Sequence, residues 1–178
     1  MVPKPDGSSR MCVDFRGLND CTADASWPIF NISQMLRRIG QHKPTIFGSC
    51  DFLNGFHQAP MEEKTQEYTA FTCFIGIFQF TRLPFGRKRA PSYFQKVMAS
   101  IVLAELIYHI CEMYTDVFFG SSNEEFVSRV RQILLRFRKH NLYLKASKTY
   151  LGYKSLDFVG KVLSAEGLSM SQKKYNLY

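Results

Sequence analysis

Two aspartates stand where a chain could do metal-assisted chemistry. The stretch His109 to Ser122, HICEMYTDVFFGSS, reads as two short apolar runs meeting at the polar step Tyr114-Thr115-Asp116. A carboxylate at the tip of such a hairpin is well placed to hold a metal ion, although Asp also favours turns for their own sake. A catalytic reading therefore needs a second carboxylate and a path for substrate. Thr45 to Cys50 reads as a strand that delivers Asp51 at its end, a position that functional and turn-forming aspartates both occupy. Near the N-terminus, Lys4 and Arg10 lie beside the turn Lys4-Pro5-Asp6-Gly7. Arg offers a bidentate donor fork and Lys a point charge, so this hairpin could close over a phosphate chain; solvated surface cations would look the same.

The elements that must position these groups follow from pattern. Arg10 to Arg16 alternates polar and apolar residues, which predicts a half-buried strand. Asn31 to Gln34 is close to a capping box, with Gln34 reaching back. It opens a short helix with Met35, Leu36 and Ile39 on one face and Gly40 as its stop. Phe52 to Gln58 reads as a tight turn with Phe56 pointing back. Residues 68–82 read as two β-rich runs around Gly76. Leu83-Pro84-Phe85-Gly86 breaks that pattern, and Arg87-Lys88-Arg89 forms a dense basic loop. Pro91 suits the first turn of a helix carrying Phe94, Val97, Met98, Ile101 and Val102 to about Leu106.

Ser122 to Glu125 is a second capping box. It precedes a helix with Phe126, Val130, Ile133, Leu134 and Phe137 on one face, basic residues on the rest, and Asn141 to end it. Leu142 to Leu144 and Leu156 to Leu163 read as closing strands. Strands and helices mix without regular βαβ alternation, which predicts an α+β fold.

Composition narrows the class. A chain of 178 residues with 46% hydrophobic content can bury a core, and its length fits one domain. No apolar run is long enough for a membrane span, and MVPKPDGSSR has no apolar segment of the signal-peptide kind. Five cysteines, far apart and without a CxxC pair, argue against a disulfide framework or zinc site and for a reducing, intracellular compartment, cytoplasmic or nuclear. The net charge of +8 is uneven: residues 51–120 carry 6 basic and 7 acidic side chains, residues 121–178 carry 11 and 4. A basic flank beside an acidic centre suits a polyanion brought to metal-binding carboxylates, and equally a solvated basic surface.

With these positions laid out, the chain resembles the reverse transcriptase of gypsy-type LTR retrotransposon Pol polyproteins. The resemblance runs from Val2 to about Gly167. It is carried by VPKPDGSSRMCVDFRGLND, FGSCDFLNGFHQAP, TAF, FQFTRLPFG, APSYFQKVM, DVFFGSSNEEF, NLYLKASK and DFVGKVLSAEG, in order and at the right spacing. It implies a right-hand polymerase whose palm is an antiparallel sheet packed on helices. The fingers are partial (about 1–45 and 60–90), the palm covers about 46–59 and 91–167, and 168–178 begins the connection to an absent thumb. The chain is expected to be truncated at both ends.

The resemblance also implies roles. Lys4 and Arg10 match residues that hold the incoming triphosphate, and Asp51 matches the first catalytic carboxylate. Phe56 matches the aromatic gate that rejects a 2′-hydroxyl. Phe52, Asn54, Gly55, Phe85 and Tyr114 fall at the nucleotide, and Phe158-Val159-Gly160 resembles the primer grip. The implied cofactor is a pair of Mg²⁺ ions, with Mn²⁺ possible, held by Asp51 and Asp116. The implied partners are an RNA or DNA template with primer and deoxynucleoside triphosphates, without a membrane; dimerisation is left open.

The sequence departs from the family at the hairpin. Where the family has Tyr-x-Asp-Asp, an ungapped register places Met113-Tyr114-Thr115-Asp116. A one-residue shift would instead align Tyr114 with the Tyr and Val117 with the second Asp. Either leaves one hairpin Asp. Losing a carboxylate–Mg²⁺ attraction of several kcal/mol should slow chemistry by roughly 10³-fold or more. Arg87 and Arg89 also depart, since the family has an apolar residue first in that loop and a small or amide residue third. The expected function is therefore an RNA-directed DNA polymerase fragment impaired at Thr115, with a non-catalytic nucleic-acid-binding remnant as the alternative.

Overall fold

The structure is a computed structural model and describes residues 2–3, 7, 9–24, 27, 31–112 and 117–171. The strands are β1 (Val2–Pro3), β2 (Ser9–Arg10), β3 (Ile46–Ser49), β4 (Phe71–Cys73), β5 (Gly76–Phe78), β6 (Cys111–Glu112), β7 (Val117–Gly120), β8 (Tyr150–Tyr153), β9 (Ser155–Phe158), β10 (Lys161–Ser164) and β11 (Gly167–Met170). The α-helices are α1 (Arg16–Asp20), α2 (Ile32–Gln41), α3 (Gly55–Gln58), α4 (Glu63–Gln66), α5 (Ala90–Val97) and α6 (Asn123–Lys139). The chain divides into two compact units, Met1–Pro28 with Asn54–Lys96, and Ile29–Leu53 with Val97–Tyr178.

The second unit is built on the antiparallel sheet β6-β7-β3-β8. Phe47 pairs with Phe119 and Gly48 with Phe118, so partners share a face and the two faces alternate along the strands. On the Phe47 face, Met35, Leu36 and Ile39 of α2 pack with Val117 and Phe119 and with Leu156, Phe158 and Leu163 of the second sheet, β11-β10-β9. On the opposite face lies α6. A Cβ at Gly120 would stand 2.9 Å from the Phe126 backbone, and one at Gly48 would stand 2.8 Å from the Tyr150 carbonyl oxygen. Only glycine admits that approach. With both faces covered, all four residues of β7 are buried, which is why VFFG carries no alternation.

The capping readings are borne out with changes. The Asn31 side chain accepts hydrogen bonds from the backbone N–H groups of Ser33 and Gln34 and opens α2. The helix runs past Gly40 to Gln41, and Lys43 takes the left-handed conformation expected of the glycine (φ 45°). Ser122 caps α6 by accepting from the Glu125 N–H at 3.2 Å, but the Glu125 carboxylate reaches the Ser121 N–H and hydroxyl instead of Ser122. Asn141 is left-handed just beyond the His140 C-cap, as a helix stop should be.

Three expected elements differ. The strand predicted over 10–16 ends at Arg10, whose partner Val2 is the first residue of β1, and just before α1 the Asp14 carboxylate accepts from the Arg16 N–H and side chain. The helix expected to about Leu106 gives way at Met98 to a π-helical turn, Met98–Val102, closed by the Leu103 N–H on the Met98 oxygen at 2.8 Å. That wider turn buries Met98 and Val102 and leaves Ile101 exposed. Leu156 to Leu163 is a hairpin of two strands, turned by Val159 (φ 47°) and Gly160 (φ 75°).

The first unit contains the hairpins β1-β2 and β4-β5, together with α1, α3, α4 and most of α5. Among its described residues, Ala59, Leu83 and Ala90 form one buried cluster with Phe56, Met61 and Phe94 packed around it, and Phe15 is buried as well. Gly76 opens β5 opposite Cys73, so the turn of the β4-β5 hairpin is Phe74-Ile75, and Phe74 is 99% exposed.

Candidate active site

Asp51 sits just past the end of β3, two residues after Ser49, which pairs with Val117 at the start of β7. Val117 also pairs with Glu112, the last residue of β6. Glu112 and Val117, the described residues on either side of 113–116, are thus paired with each other, and Val117 lies on the strand beside β3. Tyr114, Thr115 and Asp116 themselves lie outside the described residues, as does Lys4, and Arg10 is described only as the backbone of β2 paired with Val2.

The Asp51 backbone is held by the Lys145 N–H, which donates to its carbonyl oxygen at 2.8 Å. Its carboxylate is half exposed and pairs with Lys148 Nζ at 3.0 Å. Next to it, Phe52 is brought into the core: its ring is buried and meets Phe137 edge-on at 5.1 Å. Phe158 is likewise buried, in the cluster under the sheet, while Val159 is exposed at the tip of the β9-β10 turn.

In the first unit the structure brings Phe56 and Phe85 together. Asn54 is left-handed (φ 50°, ψ 50°) and its carbonyl accepts from the His57 N–H, which starts α3 at Gly55. Phe56 then lies 5.3 Å from Phe85 and 5.6 Å, edge-on, from Phe94. His57 stands perpendicular to Phe85 at 4.8 Å and stacks parallel to Phe80 at 6.2 Å.

Residues 2–175 match the family described as Reverse transcriptase (RNA-dependent DNA polymerase). The chain belongs to the reverse transcriptase family. It is 35% identical over 176 residues to a Retrovirus-related Pol polyprotein from transposon opus of Drosophila melanogaster, covering 97% of this chain and 17% of that protein. Against the Pol polyprotein of transposon gypsy, also from Drosophila melanogaster, identity is 30% over 169 residues, covering 94% and 16%. This reverse transcriptase domain is thus of the gypsy-type retrotransposon kind and spans about a sixth of those relatives. Its α+β polymerase fold matches a foamy viral protease-reverse transcriptase solved in complex with ds DNA, at TM-score 0.86 and 22% identity, covering 98% of this chain and 30% of that one. A foamy viral protease-reverse transcriptase in complex with RNA/DNA hybrid matches at TM-score 0.84 and 21% identity, covering 98% and 23%.

Two features of this reverse transcriptase domain are not read from sequence pattern. Glu112 is a carboxylate at 2% exposure in the strand that leads into the hairpin, and Arg38 of α2 meets it with two hydrogen bonds of 2.7 and 2.9 Å. The Glu112 carboxylate raises the Arg38 pKa above its ordinary value, and the guanidinium also lies 4.7 Å over the Tyr108 ring. A charged residue inside the otherwise apolar run Ile110-Cys111 was the available signal for Glu112; nothing local pointed to Arg38. The second feature is Lys148, which lies in the matching stretch NLYLKASK and is the ion-pair partner of Asp51.

Proposed function

We propose that this chain is the polymerase core of an RNA-directed DNA polymerase, transferring nucleotides from deoxynucleoside triphosphates to a primer 3′ end on an RNA or DNA template. The observation that carries the reading is Asp51, exposed at the end of β3 beside the strand that begins one residue after Asp116. The proposed division keeps fingers at about 1–45 and 60–90, palm at about 46–59 and 91–167, and the start of a thumb connection at 168–178.

Asp51 offers the hard oxygen ligand that Mg²⁺ requires. Among the described residues no group of three or more His, Cys, Asp or Glu could hold a metal ion, so Asp116 and the substrate's own oxygens would have to complete the site. Asp51 and Asp116 would hold two Mg²⁺ ions, or Mn²⁺ in their place, whose chemistry when bound is to activate the primer 3′-oxygen and stabilise the leaving pyrophosphate. The protein's own part is positioning. Lys4 and Arg10 bind the triphosphate and Phe56, braced by Phe85 and Phe94, excludes a 2′-hydroxyl. Asn54, Gly55 and Tyr114 border the nucleotide. Phe52, expected beside it, is instead buried against Phe137 and fixes the turn after Asp51. Val159 and Gly160, at the turn of β9-β10, meet the primer end while the buried Phe158 anchors them.

The test is primer extension on an RNA template with Mg²⁺ or Mn²⁺. Extension that is abolished by Asp51→Asn supports the reading; no extension at any metal concentration removes it for this chain. Thr115→Asp restores the missing carboxylate and is expected to raise the rate by about 10³-fold.

A second reading is favoured by Thr115 and by the Lys148 ammonium already seated on Asp51. It holds the chain to be a non-catalytic nucleic-acid-binding remnant. Binding of primer–template would then weaken steeply between about 50 and 200 mM salt, with no turnover. Affinity that is flat over that range would exclude it.

A further inference from the structure

The first unit holds a cleft that contains none of the residues assigned to nucleotide transfer. Its volume is about 370 Å³, within the range of small-molecule sites, and its lining includes Trp27, Glu62, Arg87, Arg89, Tyr93 and Lys96. Three cations line it against one carboxylate. Lys88, between the two arginines, is drawn away to Asp24 at 2.6 Å, and Arg89 donates to the Asp24 carbonyl oxygen at 3.3 Å.

Arg87 is the unusual member. It makes no ion pair among the described residues, its Nη1 is buried without a hydrogen-bond partner, and burial pushes its pKa down. A guanidinium stays charged even so. Among the described residues Trp27 Nε1 is a second buried donor without a hydrogen-bond partner. Donors left this way are costly, and the cleft that Arg87 and Trp27 line offers an anion three cationic side chains, Arg87, Arg89 and Lys96. The planar fork of arginine suits phosphate, and the rings of Trp27 and Tyr93 offer apolar faces for a flat base.

We propose that this cleft binds a mononucleotide unit, with its phosphate at Arg87, Arg89 and Lys96 and its base against Trp27 and Tyr93. The unit is either a free nucleotide or part of a strand. The site needs no metal and is independent of polymerase activity.

Trp27 is the only tryptophan in the chain, so its fluorescence reports this cleft alone. Adenosine 5′-monophosphate titrated in EDTA should quench it saturably, with inorganic phosphate and adenosine each competing weakly. Arg87→Met should weaken binding roughly tenfold or more, as expected for loss of a charge-assisted contact. That variant also removes an orphan buried donor, so its thermal unfolding should remain cooperative. Lys96→Ala, at an exposed position on α5, gives a second and smaller weakening. Asp51→Asn should leave the quenching unchanged, which separates this site from the polymerase reading. A twelve-residue oligodeoxyadenylate that displaces the nucleotide at lower nucleotide concentration identifies a strand as the source; failure to displace it identifies a free nucleotide. Quenching that does not saturate, or that is the same in Arg87→Met, overturns the proposal.

Discussion

Two ion pairs border the same sheet and differ in almost everything except charge. Lys148 and Asp51 meet at 3.0 Å with side chains 57% and 50% exposed. Arg38 and Glu112 meet through two hydrogen bonds with side chains 31% and 2% exposed. An exposed pair contributes about 0–1 kcal/mol because water and salt screen it. A buried pair adds little net stability over apolar residues, but breaking it strands a charge at about 3–5 kcal/mol. The electrostatics that cannot be exchanged therefore sit at the root of the β6-β7 hairpin, where they fix shape. Those at Asp51 are weak enough for another cation to replace the lysine. A carboxylate meant to change partners should look like Asp51; one meant to hold a strand should look like Glu112.

The sharpest way to break this contrast is to remove Arg38. Arg38→Met should destabilise the protein by about 3–5 kcal/mol, because Glu112 stays buried without its counter-ion. For a chain of this size that is roughly 2–4 °C of Tm per kcal/mol, readable by thermal or urea unfolding. The double change Arg38→Met with Glu112→Leu should recover most of the loss, since the second step removes the stranded charge. If the single change costs less than about 1 kcal/mol, the two pairs are alike and the contrast fails.

That pair also marks where sequence reading stops. β3, β7 and α6 were legible because burial writes itself into local pattern: an unbroken apolar run in VFFG, a helical stripe from Phe126 to Phe137. Asp51 was legible as the residue that ends such a run. Arg38 and Glu112 are 74 residues apart, and no periodicity links them. Lys148 is hidden for the same reason. Met11, Val13 and Phe15 do alternate as a strand would, yet β1 pairs with β2 only to Arg10, and the Asp14 side chain takes up the Arg16 N–H locally where α1 follows. Phe158 was assigned to the primer by resemblance; its burial comes from α2 and β10, which the sequence does not place against it.

Glu125 provides an intermediate case. It pairs with Arg129 at 2.6 Å, the side chains being 36% and 14% exposed, and accepts hydrogen bonds from Ser121. The Ser121 hydroxyl and N–H, then Arg129, lower its pKa below the ordinary 4.5. A carboxyl whose pKa is depressed on folding adds stability above its unfolded value and loses it as pH falls through the folded one. Glu125→Gln should therefore cost about 1 kcal/mol at neutral pH, as loss of a helix-terminus contact does. The difference from wild type should persist at pH 4.5 and shrink below it. A difference that is constant down to pH 2 would show that the charge at Glu125 contributes nothing.

The smallest stability effect is expected at Lys148, and it carries the most about function. Lys148→Ala should change unfolding free energy by less than about 0.5 kcal/mol, because its pair with Asp51 is solvated on both sides. What should change is competition. The ammonium pairs with Asp51 Oδ2, one of the two oxygens open to a divalent ion, so the two cations compete for the same carboxylate. Removing the amine should tighten Mn²⁺ binding several-fold, measured by the loss of free-Mn²⁺ paramagnetic resonance signal, while Asp51→Asn should weaken it. Tighter Mn²⁺ binding without a stability cost would make Lys148 a counter-ion that yields to metal. Unchanged Mn²⁺ affinity, or a stability loss above about 1 kcal/mol, would place Lys148 with Arg38 as a structural partner and remove the distinction on which the Asp51 assignment leans.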